Sequence, residues 1–187
     1  MPRIIVGSGV VNQIPLDWEG NFVRILNVIQ EAQQFHVSIL CLPELCLTGY
    51  GCEDQFYSSF TEEQSWSYLT KLIPHTSDIT VFVGLPIRFA GKLYNVSACI
   101  SNKKLIALIP KQHLANDGVH YEARWFSPWP AGQRNHIGKD GLEIPMGDYR
   151  VEIGNGILVG VEICQDAWEG ETRPAISLGQ RGVSLIC

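Results

Sequence analysis

The stretch "SILCLPE", Ser38 to Glu44, sets four apolar residues in front of a proline and then stops on a carboxylate. A run this short and this apolar predicts a strand buried on both faces, inside a sheet covered by layers on either side. Two later stretches repeat the pattern with different last residues. "LIALIPK", Leu105 to Lys111, ends on an ammonium, and "LVGVEIC", Leu158 to Cys164, ends on a thiol. In open α/β sheets ligands bind beyond the carboxyl ends of strands. Neighbouring strands pointing the same way would therefore bring Glu44, Lys111 and Cys164 to one edge. Taken singly, each has an ordinary explanation: a helix-starting acid, a solvated loop charge, a small core filler. Together they suit one chemistry, attack by a base-activated cysteine with a cation for the developing oxyanion.

The rest of the chain predicts how such strands are framed. Arg3 to Val11 is a β-rich opening, and Phe22, Ile25, Leu26, Ile29 and Ala32 mark a helix over Asn21 to His36. Thr61 and Gln64 form a capping box for a second helix running to about Ile73. Ile79 to Leu85 is a strand stopped by Pro86, and Asn102-Lys103 turns a tight hairpin between Leu93–Ser101 and Lys104–Ile109. Gln112 to about Gly147 is a long loop with a binding role, followed by a hairpin turned at Gly154-Asn155-Gly156. Thr172 to Gln180 is a short helix and Val183 to Cys187 opens another strand. This order predicts an α/β fold with a mixed sheet. Because "RGVSLIC" stops in an apolar strand, the sequence is expected to be a piece of a longer protein.

Composition narrows the function. With 187 residues the chain suits one domain, and a net charge of −5 argues against a nucleic-acid surface. The apolar runs are strand-length, too short to span a bilayer, and no secretory h-region opens the chain, which is expected to be cytoplasmic. Its six cysteines are accordingly expected to be reduced, and Cys41, Cys46 and Cys52 are too irregularly spaced to hold zinc. No metal site is expected. Asn95-Val96-Ser97 matches a glycosylation sequon that a cytoplasmic protein would not use.

Glu, Lys and Cys at strand ends, in that order, resemble the carbon–nitrogen hydrolase (nitrilase) superfamily. More narrowly, "CLPELCLTGYGCEDQF", "PKQHLANDGVHYEARWFSPW" and "GVEICQDAW" resemble the glutaminase domain of glutamine-dependent NAD+ synthetases. "NQIPLDWEGN" also fits, and the resemblance covers essentially the whole chain.

That resemblance implies an α-β-β-α sandwich with mixed sheets, incomplete at its C-terminus, occupying residues 1–187 as a partial glutaminase domain. It implies Glu44 as general base, Lys111 as the oxyanion's cation and Cys164 as nucleophile toward L-glutamine, with no cofactor in this domain. ATP, Mg2+ and deamido-NAD would be used by a synthetase domain absent from the sequence, which also lacks that domain's Ser-Gly-Gly pyrophosphate loop. Glu122 matches a family glutamate after the lysine, with pairing to Arg124 on the surface as the equal alternative. Tyr50 as a pocket wall and Asp117 as a glutamine contact belong to the same carry-over. Gln165 stands where the family often has an acid that meets the substrate's α-ammonium, so charge assistance is lost there. Relatives of this type imply a homo-oligomer. Two alternatives stand beside the glutaminase: an amidase acting on another small amide, and a catalytically silent assembly module.

Overall fold

The structure, a computed structural model, describes residues 4–154 and 156–187. Its first half alternates strands with helices: β1 Val6–Ser8, α1 Trp18–Gln34, β2 Ile39–Cys41, α2 Ser59–Leu72 and β3 Thr80–Phe89. Strands β4 Lys92–Ser101, β5 Lys104–Pro110, β6 Arg134–Lys139 and β7 Leu142–Gly147 complete a seven-stranded mixed sheet in the order β1-β2-β3-β4-β5-β7-β6. A second sheet of three strands, β8 Val151–Glu152, β9 Leu158–Gly160 and β10 Leu185–Ile186, has the order β10-β9-β8, and α3 is Pro174–Gln180.

Strand alternation builds the layers. On β2 to β5, Leu40, Val81, Val83, Val96, Ala98 and Leu108 face one way and pack with Ile25, Ile29, Leu69 and Leu72 of the two long helices. Their neighbours Ile39, Phe82, Cys99, Ala107 and Ile109 face the other way, onto Val151, Val159, Val161 and Ile163 of the small sheet. The small sheet's outer face carries α3: a Cβ on Gly160 would stand 2.7 Å from Leu178 Cδ1. Helices, large sheet, small sheet, helix: this is the expected α-β-β-α sandwich.

Several local expectations shift. β3 does not stop at Pro86 but runs to Phe89. The carbonyls of Phe82 and Gly84 point toward the β2 side, so the missing N–H of Pro86 points there too, where the β2 ladder has ended at Cys41↔Phe82. α2 starts at Ser59 behind Ser58, and Thr61 is not its cap: its hydroxyl donates to the Gln55 carbonyl at 2.8 Å. The long loop is shorter than expected, because Arg134 to Gly147 forms the β6–β7 hairpin, turned by Asp140 and Gly141 at positive φ. The Asn102-Lys103 turn stands as expected, both residues being left-handed. Of the later hairpin turn, Asn155 lies outside the described residues, while Gly154 and Gly156 have positive φ and β8 and β9 pair antiparallel. No helix among the described residues is long and apolar enough to cross a membrane.

Candidate active site

β2 and β5 are parallel to each other, separated by β3 and β4, so their carboxyl ends lie at one edge of the large sheet. The third strand, β9, belongs to the opposite sheet. The expected convergence is therefore across the sandwich, not along one sheet. Glu44 and Cys164 line one cavity of about 80 Å3, with Gly84, Asn95 and Ile163 in its wall. A larger cavity, about 660 Å3, lies around Ile4, Thr80, Asn102 and Ile153 and contains none of the three reactive groups. Chemistry marks the smaller one.

Each reactive side chain is set by its local backbone. After Cys41 the chain leaves the sheet and folds over β3, with Leu42 N–H bonded to Phe82 O (3.0 Å) and Leu47 N–H to Gly84 O (3.2 Å). Leu45 takes φ +50°, and the crossing is possible because residue 84 has no side chain. Lys111 follows β5 and is fixed on both sides, its N–H bonded to Asn95 O (2.8 Å) and its carbonyl to Trp129 N–H (2.9 Å). Cys164 opens the 3-10 turn Cys164–Trp168 with φ +47°, a costly conformation for a non-glycine residue, of the kind found at functional turns.

The charged cluster is compact and largely buried. Lys111, 1% exposed, donates from Nζ to Glu44 Oε1 at 2.6 Å and to Glu122 Oε1 at 2.9 Å. Asn95 Nδ2 donates to the same Glu44 Oε1 at 2.6 Å. Glu122, also 1% exposed, further accepts from Tyr50 Oη (2.8 Å) and the Ala115 N–H (2.8 Å). Arg124 pairs with Asp54 at 2.7 Å, so Glu122 is not the surface acid of the alternative expectation. Gln165 sits beside Cys164, but its side-chain amide is held by Glu169 Oε1 at 2.7 Å. Asp117 stands apart on an exposed turn, where its carbonyl accepts from His120 N–H.

Burial and pairing tune the three groups differently. Burial raises the Glu44 carboxyl above the usual range, against the pull of Lys111 and Asn95, and nearby Glu122 adds to the rise. Burial works against the Lys111 ammonium, but the two carboxylates outweigh it and hold the lysine charged above its ordinary pKa. The Cys164 thiol is pushed up by burial and by Glu44, with Lys111 and the Gln165 N–H opposing. A resting thiol beside a carboxylate of raised pKa is an arrangement for general-base activation.

Three contributors escaped the sequence. Gly84 is the floor beneath Glu44; Asn95, 1% exposed and so closed to glycosylation, is that carboxylate's second donor. Asp166, 2% exposed, accepts from Gln112 N–H (3.1 Å), His113 N–H (2.7 Å) and Ile163 N–H (3.0 Å). It thereby ties the segment after Lys111 to the turn that carries Cys164. Among the described residues no group of three or more His, Cys, Asp or Glu is placed to hold a metal.

Comparison with known proteins gives the chain its family. A glutamine-dependent NAD(+) synthetase from Homo sapiens is 35% identical over 98% of this chain, and a putative one from Schizosaccharomyces pombe is 34% identical over the same share. The chain spans 27% of the length of each. The crystal structure of a glutamine-dependent NAD(+) synthetase from Cytophaga hutchinsonii superposes with a TM-score of 0.89 at 39% identity, over 98% of this chain and 30% of that one. An amidase from Nesterenkonia sp., 18% identical with a TM-score of 0.75 over 98% of this chain and 63% of its own, shares the fold. The model of the carbon–nitrogen hydrolase family matches residues 6–187, and the chain belongs to that family.

Proposed function

We propose that this chain hydrolyses the side-chain amide of glutamine through a thioester on Cys164, as the ammonia-producing part of a longer NAD+ synthetase. What supports the reading most is the placement of Glu44 and Cys164 in one cavity, with Lys111 bonded to Glu44, in a chain of this family. The relatives' dependence on glutamine supplies the substrate class.

The thiol proton passes to Glu44 as Cys164 Sγ attacks the amide carbon. Glu44 Oε1 already accepts from Lys111 and Asn95, so Oε2, with no hydrogen bond from another described residue, is the oxygen that takes the proton. The tetrahedral oxyanion is met by the Lys111 ammonium and the Gln165 backbone N–H. One such donor is worth about 3 kcal/mol in the transition state. Glu44 returns its proton to the departing nitrogen as the C–N bond breaks, leaving ammonia and the γ-glutamyl thioester. Water, deprotonated by the same carboxylate, cleaves the thioester to glutamate and free Cys164. Glu122 and Tyr50 keep Lys111 in place throughout. In the longer protein the ammonia would meet deamido-NAD activated by ATP and Mg2+ on a synthetase domain.

The test is ammonia release from glutamine by the wild type beside Cys164→Ala, each checked for a cooperative melt. Release that vanishes in the folded variant supports the reading, and turnover that persists without the thiol overturns it.

A further inference from the structure

Asn95 carries one of the buried polar atoms left without a partner. Its side chain is 1% exposed, it lines the cavity of Glu44 and Cys164, and its Nδ2 donates to Glu44 Oε1 at 2.6 Å. Among the described residues its Oδ1 has no hydrogen-bond donor. The orientation is chemically forced, because Glu44 Oε1 is a carboxylate oxygen that already accepts from Lys111, and only the NH2 end of the amide suits it. Turning the amide over would set oxygen against oxygen. An acceptor is thus held buried beside the acid, at a cost that a native interior seldom leaves uncompensated.

The carboxamide of glutamine is a donor of the matching kind. Its NH2 group offers two N–H bonds and becomes the leaving group, while an ester or acid of the same length offers none there. From the unpartnered oxygen, its burial and its place beside Glu44, we infer that Asn95 Oδ1 accepts an N–H of the scissile amide and selects nitrogen leaving groups. This rests on the glutamine reading and deepens it. The substrate C–N nitrogen is held next to the carboxyl that protonates it: the thiol proton sits on Glu44, the S–C bond forms, the C–N bond breaks and ammonia leaves with that proton. Asn95 keeps one hydrogen bond to the nitrogen through the change and exchanges no proton itself. A site that hydrogen-bonds a substrate N–H rejects analogues lacking it, because the buried acceptor is again left alone.

The experiment compares glutamine with γ-glutamyl methyl ester, whose leaving oxygen carries no N–H, in the wild type, Asn95→Leu and Asn95→Ala. Both variants also loosen Glu44, whose proton the amide nitrogen needs more than the ester oxygen does, so the comparison is made on binding, in a Cys164→Ala background where no proton is transferred. The ratio of Kd for ester over amide isolates the N–H contact. It is expected to drop by about tenfold or more, the scale of one buried hydrogen bond. Leu keeps the branched shape of Asn and Ala removes it, so whichever variant melts cooperatively serves. Equal losses on amide and ester would reduce Asn95 to a positioning residue for Glu44 and overturn the inference, while leaving the glutaminase reading standing. A wild type that cleaves neither substrate overturns both.

Discussion

Gly84 lies so close beneath the turn carrying Glu44 that a Cβ built on it would stand 2.3 Å from the Leu45 amide nitrogen and 2.7 Å from the Pro43 carbonyl oxygen. Both atoms are backbone, so nothing there can swing aside. The Gly84→Ala variant must push the Pro43–Leu45 crossing away from β3, at an overpacking cost of about 1–3 kcal/mol. The displaced turn takes Glu44 with it. An ångström of misplacement costs on the order of 100-fold in rate, so ammonia release should fall far more than the melting temperature suggests. Activity measured well below the melt, where the variant is folded, separates the two effects. Unchanged turnover would mean that the crossing does not set the carboxylate.

Lys111 is the only cation bonded to Glu44 or Glu122 among the described residues. Lys111→Met leaves two carboxylates facing each other in a buried site, and breaking a buried pair this way costs about 3–5 kcal/mol. The sign of its pH dependence follows. Without the ammonium, the folded-state pKa of Glu44, already above the unfolded value, rises further, so the folded variant binds more protons than the folded wild type. The deficit is therefore largest above the variant's raised pKa and shrinks as pH falls through it toward the wild-type value, which itself lies above the unfolded glutamate value of about 4.3. Melting of wild type and variant across pH checks this; a gap that widens on acidification contradicts it.

How much of this was legible in the sequence depends on the range of the interaction involved. The apolar runs ending at Glu44, Lys111 and Cys164 marked the buried strands, because burial on both faces is written locally. So was the Asn102-Lys103 turn. The Asp140-Gly141 turn carried the same kind of signal, yet the composition around it suggested a loop and the β6–β7 hairpin went unseen. What no local pattern contains is which strands meet. Nothing near Gly84 announces that another segment crosses it, and nothing near Asn95 says that Glu44, 51 residues away, shares its proton. Cys164 was placed with two strands of one sheet, whereas it comes from the other, since pairing order is a property of the whole fold.

Glu44 is raised by burial and by Glu122, and lowered by Lys111 and by Asn95. As the proposed base it must be ionised, so the acid limb of kcat/KM for glutamine should lie above the usual glutamate value of about 4.3. Two substitutions should move that limb in opposite directions. Glu122→Gln removes a negative neighbour and turns Lys111 fully onto Glu44, lowering the limb. Asn95→Ala removes a donor to the carboxylate and raises it. Full pH profiles of both variants decide this. Shifts of the same sign in both would show that the limb belongs to another group.

Asp166 joins two parts of the site that are far apart in sequence, with both carboxylate oxygens engaged. Oδ1 accepts from Gln112 and His113 N–H, and Oδ2 from Ile163 N–H, the residue before Cys164. Asn in its place has one acceptor oxygen and one NH2 donor, so at least one buried N–H would face another donor. An unsatisfied group of that kind costs about 1–3 kcal/mol in stability. The consequence for rate is separate, because the same bonds hold the segment behind Lys111 against the turn that keeps Cys164 at φ +47°. Loosening that turn lets the cysteine relax toward ordinary backbone and moves its sulfur relative to Glu44. Asp166→Asn should therefore lose kcat for ammonia release on the order of 100-fold at a temperature where it is fully folded. Wild-type kcat combined with a lowered melting temperature would make Asp166 a structural staple alone.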